Sequence, residues 1–238
     1  MRLNKTFLLL VLIFLFSPTY ALDSFETDDI FAIKSVSLSD VSYDGNSLIF
    51  ITSHADKKDD DFRDTLYLLD IKSGKKSVLL QSNGGKGFRF SSVKFSSDLK
   101  SIYFLSSGNK ASEKNNTQIW SLTLSNRIKR RLTNFDGSIS DYDISEDGSA
   151  IAFIGNKKSE DKDKSKTPSP VVIDRYQFKR DYEGFLGNDR DHLFIFDSKS
   201  KRVEQVTSGQ RDHLHPSISP NGKSIAYMTK EGDFDRHN

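Results

Sequence analysis

The chain has no cysteine among its 238 residues. No disulfide can therefore hold it, and no lipid can be attached at a mature N-terminal Cys. It also lacks a surplus of either charge sign. The 35 Lys+Arg against 33 Asp+Glu give a formal +2, and both extra positive charges, Arg2 and Lys5, precede the first acidic residue, Asp23. Residues 22–238 thus balance at 33 of each. A neutral chain without long basic blocks offers no electrostatic footprint for nucleic acid. Long apolar runs are scarce as well. The longest, Phe7–Phe16, has ten residues, whereas a membrane-spanning helix needs about 17–25. Gly-x-Ser-x-Gly, the turn that exposes the nucleophile of an α/β-hydrolase, occurs nowhere.

What is present at the N-terminus reads as an address. A basic Met1–Lys5, the apolar Phe7–Phe16 and a small-residue end at Thr19 and Ala21 form the pattern of a secretory signal peptide over residues 1–21. An uncleaved anchor is the alternative. The expectation is export to a periplasm or beyond the cell, with no span left after cleavage. Residues 22–36 form a leader in which Glu26–Lys34 could make a short helix capped near Thr27 or Asp28. The remainder, with 35% apolar and 29% charged residues overall, suits a globular core rather than a disordered chain.

Residues 37–238 repeat themselves. Ser42-Tyr-Asp-Gly-Asn-Ser-Leu-Ile-Phe50 returns as Ser96–Phe104, Ser145–Phe153 and Ser219–Tyr227, at spacings of 54, 49 and 74 residues. Each copy reads as a strand end, a tight turn on Asp-Gly or Asn-Gly, and a second strand. Two-residue hairpin turns need positive φ, which those residues tolerate. Leu99 breaks the pattern, so its turn is expected to be of another type or strained. Third strands follow at Thr65–Asp70, Gln118–Thr123 and His192–Asp197, and fourth strands at Ser77–Leu80, Ile128–Thr133 and Val203–Thr207. Four short antiparallel strands per unit of about 40–50 residues describe a β-propeller blade; a sandwich or barrel would rarely repeat one turn at one place. The fold expected is all-β, an incomplete propeller of about three and a half four-stranded blades. A charged insertion at 157–170 and a strand-like Val171–Lys179, turning near Glu183-Gly184, lengthen the third unit.

These hairpins, with Val172-Ile-Asp-Arg-Tyr-Gln-Phe-Lys179 and Asp189-Arg-Asp-His-Leu-Phe-Ile-Phe-Asp197, resemble the N-terminal propeller of exported prolyl-oligopeptidase-family serine peptidases, of the acylaminoacyl-peptidase and dipeptidyl-peptidase type. TolB-like propellers, which bind protein partners without chemistry, share the hairpin motif. The resemblance implies a seven- or eight-bladed ring capping a C-terminal α/β-hydrolase domain with a Ser, Asp, His triad, and restricting access to short peptides. The chain is accordingly read as incomplete, its hydrolase domain expected downstream. Two such chains pairing into one ring is the other possibility.

No catalytic residue, cofactor site or metal site is assigned. Partners are expected to be a peptide substrate or a protein. Several groups nonetheless have a stated reading. His213 and His215 would share one strand face, a spacing that binds zinc only if a third ligand arrives; strand and loop packing is the plainer role. His192 reads as a turn residue. Asp59-Asp-Asp61 reads as a loop neutralised by Lys57, Lys58 and Arg63. Arg175 and Arg180 could contact a peptide's carbonyls or carboxylate, or simply be solvated beside buried Tyr176 and Phe178. Asn115-Asn-Thr117 is a glycosylation sequon that matters only in a eukaryotic host.

Overall fold

The repeated hairpin, Ser-x-Asp/Asn-Gly in three copies and Ser-Ser-Asp-Leu in the other, builds the same hydrogen-bonded corner four times. In the first copy Gly45 N–H donates to the Ser42 carbonyl (2.8 Å), and Ser42 N–H to that of Ser47 (2.8 Å). The Ser42 hydroxyl donates to Asp44 Oδ1 (2.6 Å) and accepts the Ser47 amide (2.8 Å), while Asp44 Oδ1 takes the Asn46 amide (3.0 Å). The copies at Ser96, Ser145 and Ser219 repeat every one of these bonds. The loop therefore has four residues, not the two expected. Only its last-but-one member has positive φ: 69° at Gly45, 68° at Gly148 and Gly222. Asp or Asn is selected as an acceptor of local donors rather than for left-handed backbone.

Leu99 makes the same turn with φ at 53°. The turn type is thus unchanged, and the strained alternative is the one realised. A left-handed L-residue costs about 1–2 kcal/mol, partly offset by the backbone entropy glycine would lose. Leu99→Gly is expected to raise stability by about 1 kcal/mol in urea unfolding, and an unchanged or lower midpoint would show the strain is relieved elsewhere.

The computed structural model describes residues 24–229 apart from 59, 83–87, 109–115, 158–178, 182–183 and 186–188. A 3-10 helix at Thr27–Phe31 begins the described part, one residue earlier in its cap than expected: Glu26 N–H donates to Asp29 Oδ2 (2.8 Å). The first sheet follows in simple antiparallel order as β1 (Lys34–Val41), β2 (Ser47–Asp56), β3 (Asp61–Asp70) and β4 (Lys76–Gln81). The second repeats it as β5 (Ser91–Phe95), β6 (Ser101–Ser106), β7 (Gln118–Thr123) and β8 (Lys129–Arg131). In the third, β9 (Ser138–Ile144) and β10 (Ala150–Asn156) are separated in sequence from the last two strands by a small hairpin, β11 (Lys179–Arg180) with β12 (Gly184–Phe185). β13 (His192–Asp197) and β14 (Val203–Gln205) then complete the sheet. A two-stranded fourth sheet, β15 (His213–Ile218) and β16 (Ile225–Thr229), ends the described chain. Three four-stranded sheets and half of a fourth are the partial propeller that the repeat implied.

Strand alternation divides each middle sheet between two cores. Ile102 and Phe104 of β6 face back to Ile49, Leu66 and Leu79 of the first sheet, while Leu105 of the same strand faces forward with Ile119. Ile151 and Phe153 of β10 likewise face back, into the cluster of Phe135, Tyr142, Phe194 and Phe196. Ala152 and Ile154 face forward, to Leu193 and Ile218. Each core thus lies between consecutive sheets. The first sheet has no sheet behind it among the described residues, and Val36 and Leu38 on that face are 68% and 65% exposed.

A second repeated device ties each fourth strand back to the third. The hydroxyls of Ser82, Thr133 and Thr207 accept the amides of Asp64, Ile119 and Leu193 (2.7, 3.0 and 2.9 Å). Between the second and third sheets the buried Gln118 amide is fully satisfied. Its Nε2 donates to the carbonyls of Phe135 and Gly137, and its Oε1 accepts from Thr133 Oγ1 and Phe135 N–H.

Candidate functional site

The first strands of the sheets converge. β1 lies beside β5 and β9 beside β15, while β4, β8 and β14 form the opposite edges of their sheets. The inner strands are therefore where polar groups from different sheets can meet, and the residue two before each hairpin Ser is the one that reaches across. Asp40 Oδ2 of the first sheet accepts the Phe95 amide of the second (2.8 Å). Asp143 Oδ2 of the third accepts the Ile218 amide of the fourth (3.0 Å). At the same position in the second copy stands Lys94, whose Nζ donates to the Tyr142 carbonyl (2.9 Å) and Asp143 Oδ1 (3.0 Å) of the third sheet. Charge is inverted there, yet the reach to the next sheet is kept.

Tyr142 completes this inner layer. Its side chain is fully buried and its hydroxyl donates to the Ser92 carbonyl of β5 (2.6 Å). Burial, then the charges of Asp40, Asp141 and Asp143, hold its phenol well above the ordinary tyrosine range, so it stays a neutral donor. Asp141 in turn faces His215, Nδ1 to Oδ2 3.4 Å, with the imidazole exposed and the carboxylate half-buried. The inner strands thus present Asp40, Asp141 and Asp143 with Lys94 and His215.

The imidazoles expected on one face are divided. A bulge between Leu214 and Ser217, with His215 at φ 51°, breaks the alternation of β15. His213 is buried and packs 5.5 Å from the His192 ring and 5.4 Å from Tyr227, while its Nδ1 lies 3.1 Å from the Asp191 carbonyl. His192 is not a turn residue but the first residue of β13; burial and the neighbouring His213 lower its pKa. No cluster of three metal-ligating side chains exists among the described residues.

Asp61 of the acidic loop pairs with Arg89, while Lys57 and Arg63, expected to neutralise that loop, pair with Asp28 and Asp56. Asp59, Asn115 and Arg175 lie outside the described residues, as does the charged insertion beyond Lys157. Arg180 is placed only by its backbone, in β11 opposite Gly184, while Glu183 and the strand expected from Val171 to Phe178 lie outside the described residues. The hairpin carboxylates are structural: hydrogen bonds from Ser149 and Ser145 bring Asp147 down to about 2. The inter-sheet role of Asp40, Lys94 and Asp143 was missed in the sequence. The signal was their shared offset from the repeated Ser, obscured by three different residue types at that offset (Asp, Lys, and Ser217).

No family model matches the chain. It is 26% identical over 214 residues to the uncharacterized peptidase YuxL of Bacillus subtilis (strain 168), covering 87% of this chain and 31% of that protein. Among solved structures it is similar to the acylaminoacyl peptidase of Pyrococcus horikoshii, with a TM-score of 0.63, 17% identity and coverage of 87% of this chain and 30% of that one. It is also similar to TolB from Acinetobacter baumannii, with a TM-score of 0.50, 22% identity and 82% and 37% coverage. The chain spans about a third of each relative's length. The likeness to a prolyl-oligopeptidase-family propeller, carried in the sequence by the four hairpins, holds over the part that matches.

Proposed function

We propose that this chain is the gating, substrate-selecting propeller portion of an exported serine peptidase acting on peptides, with hydrolysis supplied by a separate α/β-hydrolase domain. The likeness to YuxL across 87% of the chain carries this reading, together with four-stranded sheets packed one on the next. The first 21 residues serve as the export signal, and mature protein recovered from a periplasm should begin at Leu22. The chain has no nucleophile elbow of its own. The purified 238-residue protein is therefore expected to hydrolyse no peptide or aminoacyl ester. Peptidase activity abolished by a serine-directed inhibitor would overturn its non-catalytic role.

A second reading, an interaction propeller of the TolB-like kind without chemistry, draws on the shared hairpin motif and the same fold. The encoded polypeptide separates the two. Further repeats and then Gly-x-Ser-x-Gly past Asn238 support the peptidase, and a stop after the repeats supports the interaction protein.

A further inference from the structure

The repeat puts equivalent residues at equivalent points of each junction between sheets. Near the start of the third strands, Thr65, Gln118 and His192 share one position, opposite Thr52, Ser106 and Gly155 of the second strands. Across the junction, the amides of Ile139 and His213 donate to the carbonyls of Thr117 and Asp191 (2.9 and 2.8 Å). His213 therefore stands in the fourth sheet where Ile139 stands in the third, and both are buried. Between the second and third sheets this contact is closed and cannot titrate. Gln118 satisfies its whole amide on Thr133, Phe135 and Gly137, and Ile139 is aliphatic.

Between the third and fourth sheets both members are imidazoles. The rings of His192 and His213 lie 5.5 Å apart, and Tyr227 packs 5.4 Å from His213. A carbonyl can only accept, so His213 Nδ1, 3.1 Å from the Asp191 carbonyl, carries the proton of the neutral ring. His192 Nδ1 is buried with no hydrogen-bond partner among the described residues, the reverse of the fully bonded Gln118. Protonating His192 here places a charge with an unsatisfied nitrogen against a second imidazole. Burial first, then His213, lowers the His192 pKa; Asp212 and Asp191 act the other way, and Arg190 adds to the lowering.

We infer that the third-to-fourth junction is an acid-sensitive latch, closed while His192 and His213 are neutral and loosened when His192 takes up a proton. Opening the junction returns the His192 ring to water, so the open form binds the proton more readily than the closed one. The latch is therefore fully held above pH about 6.5, the ordinary histidine value, and weakens as pH falls through the lower value of the closed junction. The second-to-third junction, with Gln118 and Ile139 at these places, lacks the response. His215 on the same strand faces Asp141, so the decisive readout is taken at His192 itself. The latch lies in β13 and β15 alone and is independent of the peptidase reading.

The test is hydrogen exchange of the 238-residue protein between about pH 7.5 and about pH 5.5, with rates corrected for the intrinsic effect of pH. Protection of the His213 amide is expected to fall about threefold or more, while that of the Ile139 amide, its equivalent one junction earlier, stays constant. His192→Gln, which restores the residue of the second sheet, should make His213 protection independent of pH without lowering it at the upper pH. In the unmodified protein the His192 ring C–H resonance should titrate with a midpoint below 6.5, an observation that needs no variant to fold. Constant His213 protection, an equal fall at Ile139, pH dependence that persists in His192→Gln, or a His192 midpoint at or above that value would each overturn the proposal.

Discussion

Phe153→Ala is expected to destabilise the protein by about 3–5 kcal/mol, the cost of removing a fully enclosed aromatic and leaving its cavity. Phe153 has no exposed surface, lies 5.3 Å from Phe194 in a stacked pair, and meets Phe135 edge-on at 5.2 Å. Its neighbours cannot close in, because they belong to strands of two different sheets. The internal control is Phe50→Ala. Phe50 occupies the same place in the repeat but faces the uncovered side of the first sheet, so its loss should cost roughly half as much or less. Urea unfolding of both variants decides the matter. Equal losses would mean that the first sheet's back face is covered in solution.

Asp143→Ala should be the most damaging polar substitution, at about 1–3 kcal/mol. One carboxylate serves three sheets: Oδ1 accepts from Lys94 at 3.0 Å and Oδ2 from the Ile218 amide at 3.0 Å. Its removal strands a backbone donor at a residue only 7% exposed. Asp143→Asn should fall between, since an amide oxygen can still take the Ile218 proton while the amide nitrogen faces the lysine. The specific signature is hydrogen exchange at Ile218, expected to accelerate at least tenfold while the amides of β2 and β3 are unaffected. Uniform acceleration would mean general unfolding rather than loss of this link.

The fold was legible because a repeat multiplies weak signals. One Ser-x-Asp-Gly is a turn and little more, but four related hairpins, each followed by apolar and aromatic alternation, specify sheets and their order. Leu99 shows how strongly the repeat dominates, for the corner forms around a residue that resists it. What lay beyond the sequence was side-chain reach between sheets. Asp40 and Asp143 are 103 positions apart and look like ordinary polar strand residues, and Lys94 at the same offset disguises their common role. The separation of His213 from His215 was equally hidden. A bulge with a histidine at positive φ has no composition cue, and strict alternation placed both rings on one face. The second-sheet edge of the acidic loop was hidden for a similar reason, since Arg89 reaches Asp61 from a distant part of the chain.

The inner-strand links described above each join one sheet to the next along the chain. Asp40 holds Phe95, Lys94 holds Tyr142 and Asp143, Tyr142 reaches back to Ser92, and Asp143 holds Ile218, each a junction between sheets that are neighbours in sequence and none skipping a sheet. An architecture coupled only to its nearest neighbours behaves as a one-dimensional array, in which stability accumulates unit by unit. A chain of this kind emerging N-terminus first from the ribosome could therefore acquire its structure vectorially. Each newly delivered sheet would clamp onto the one before it, with no need to wait for the far end of the polypeptide.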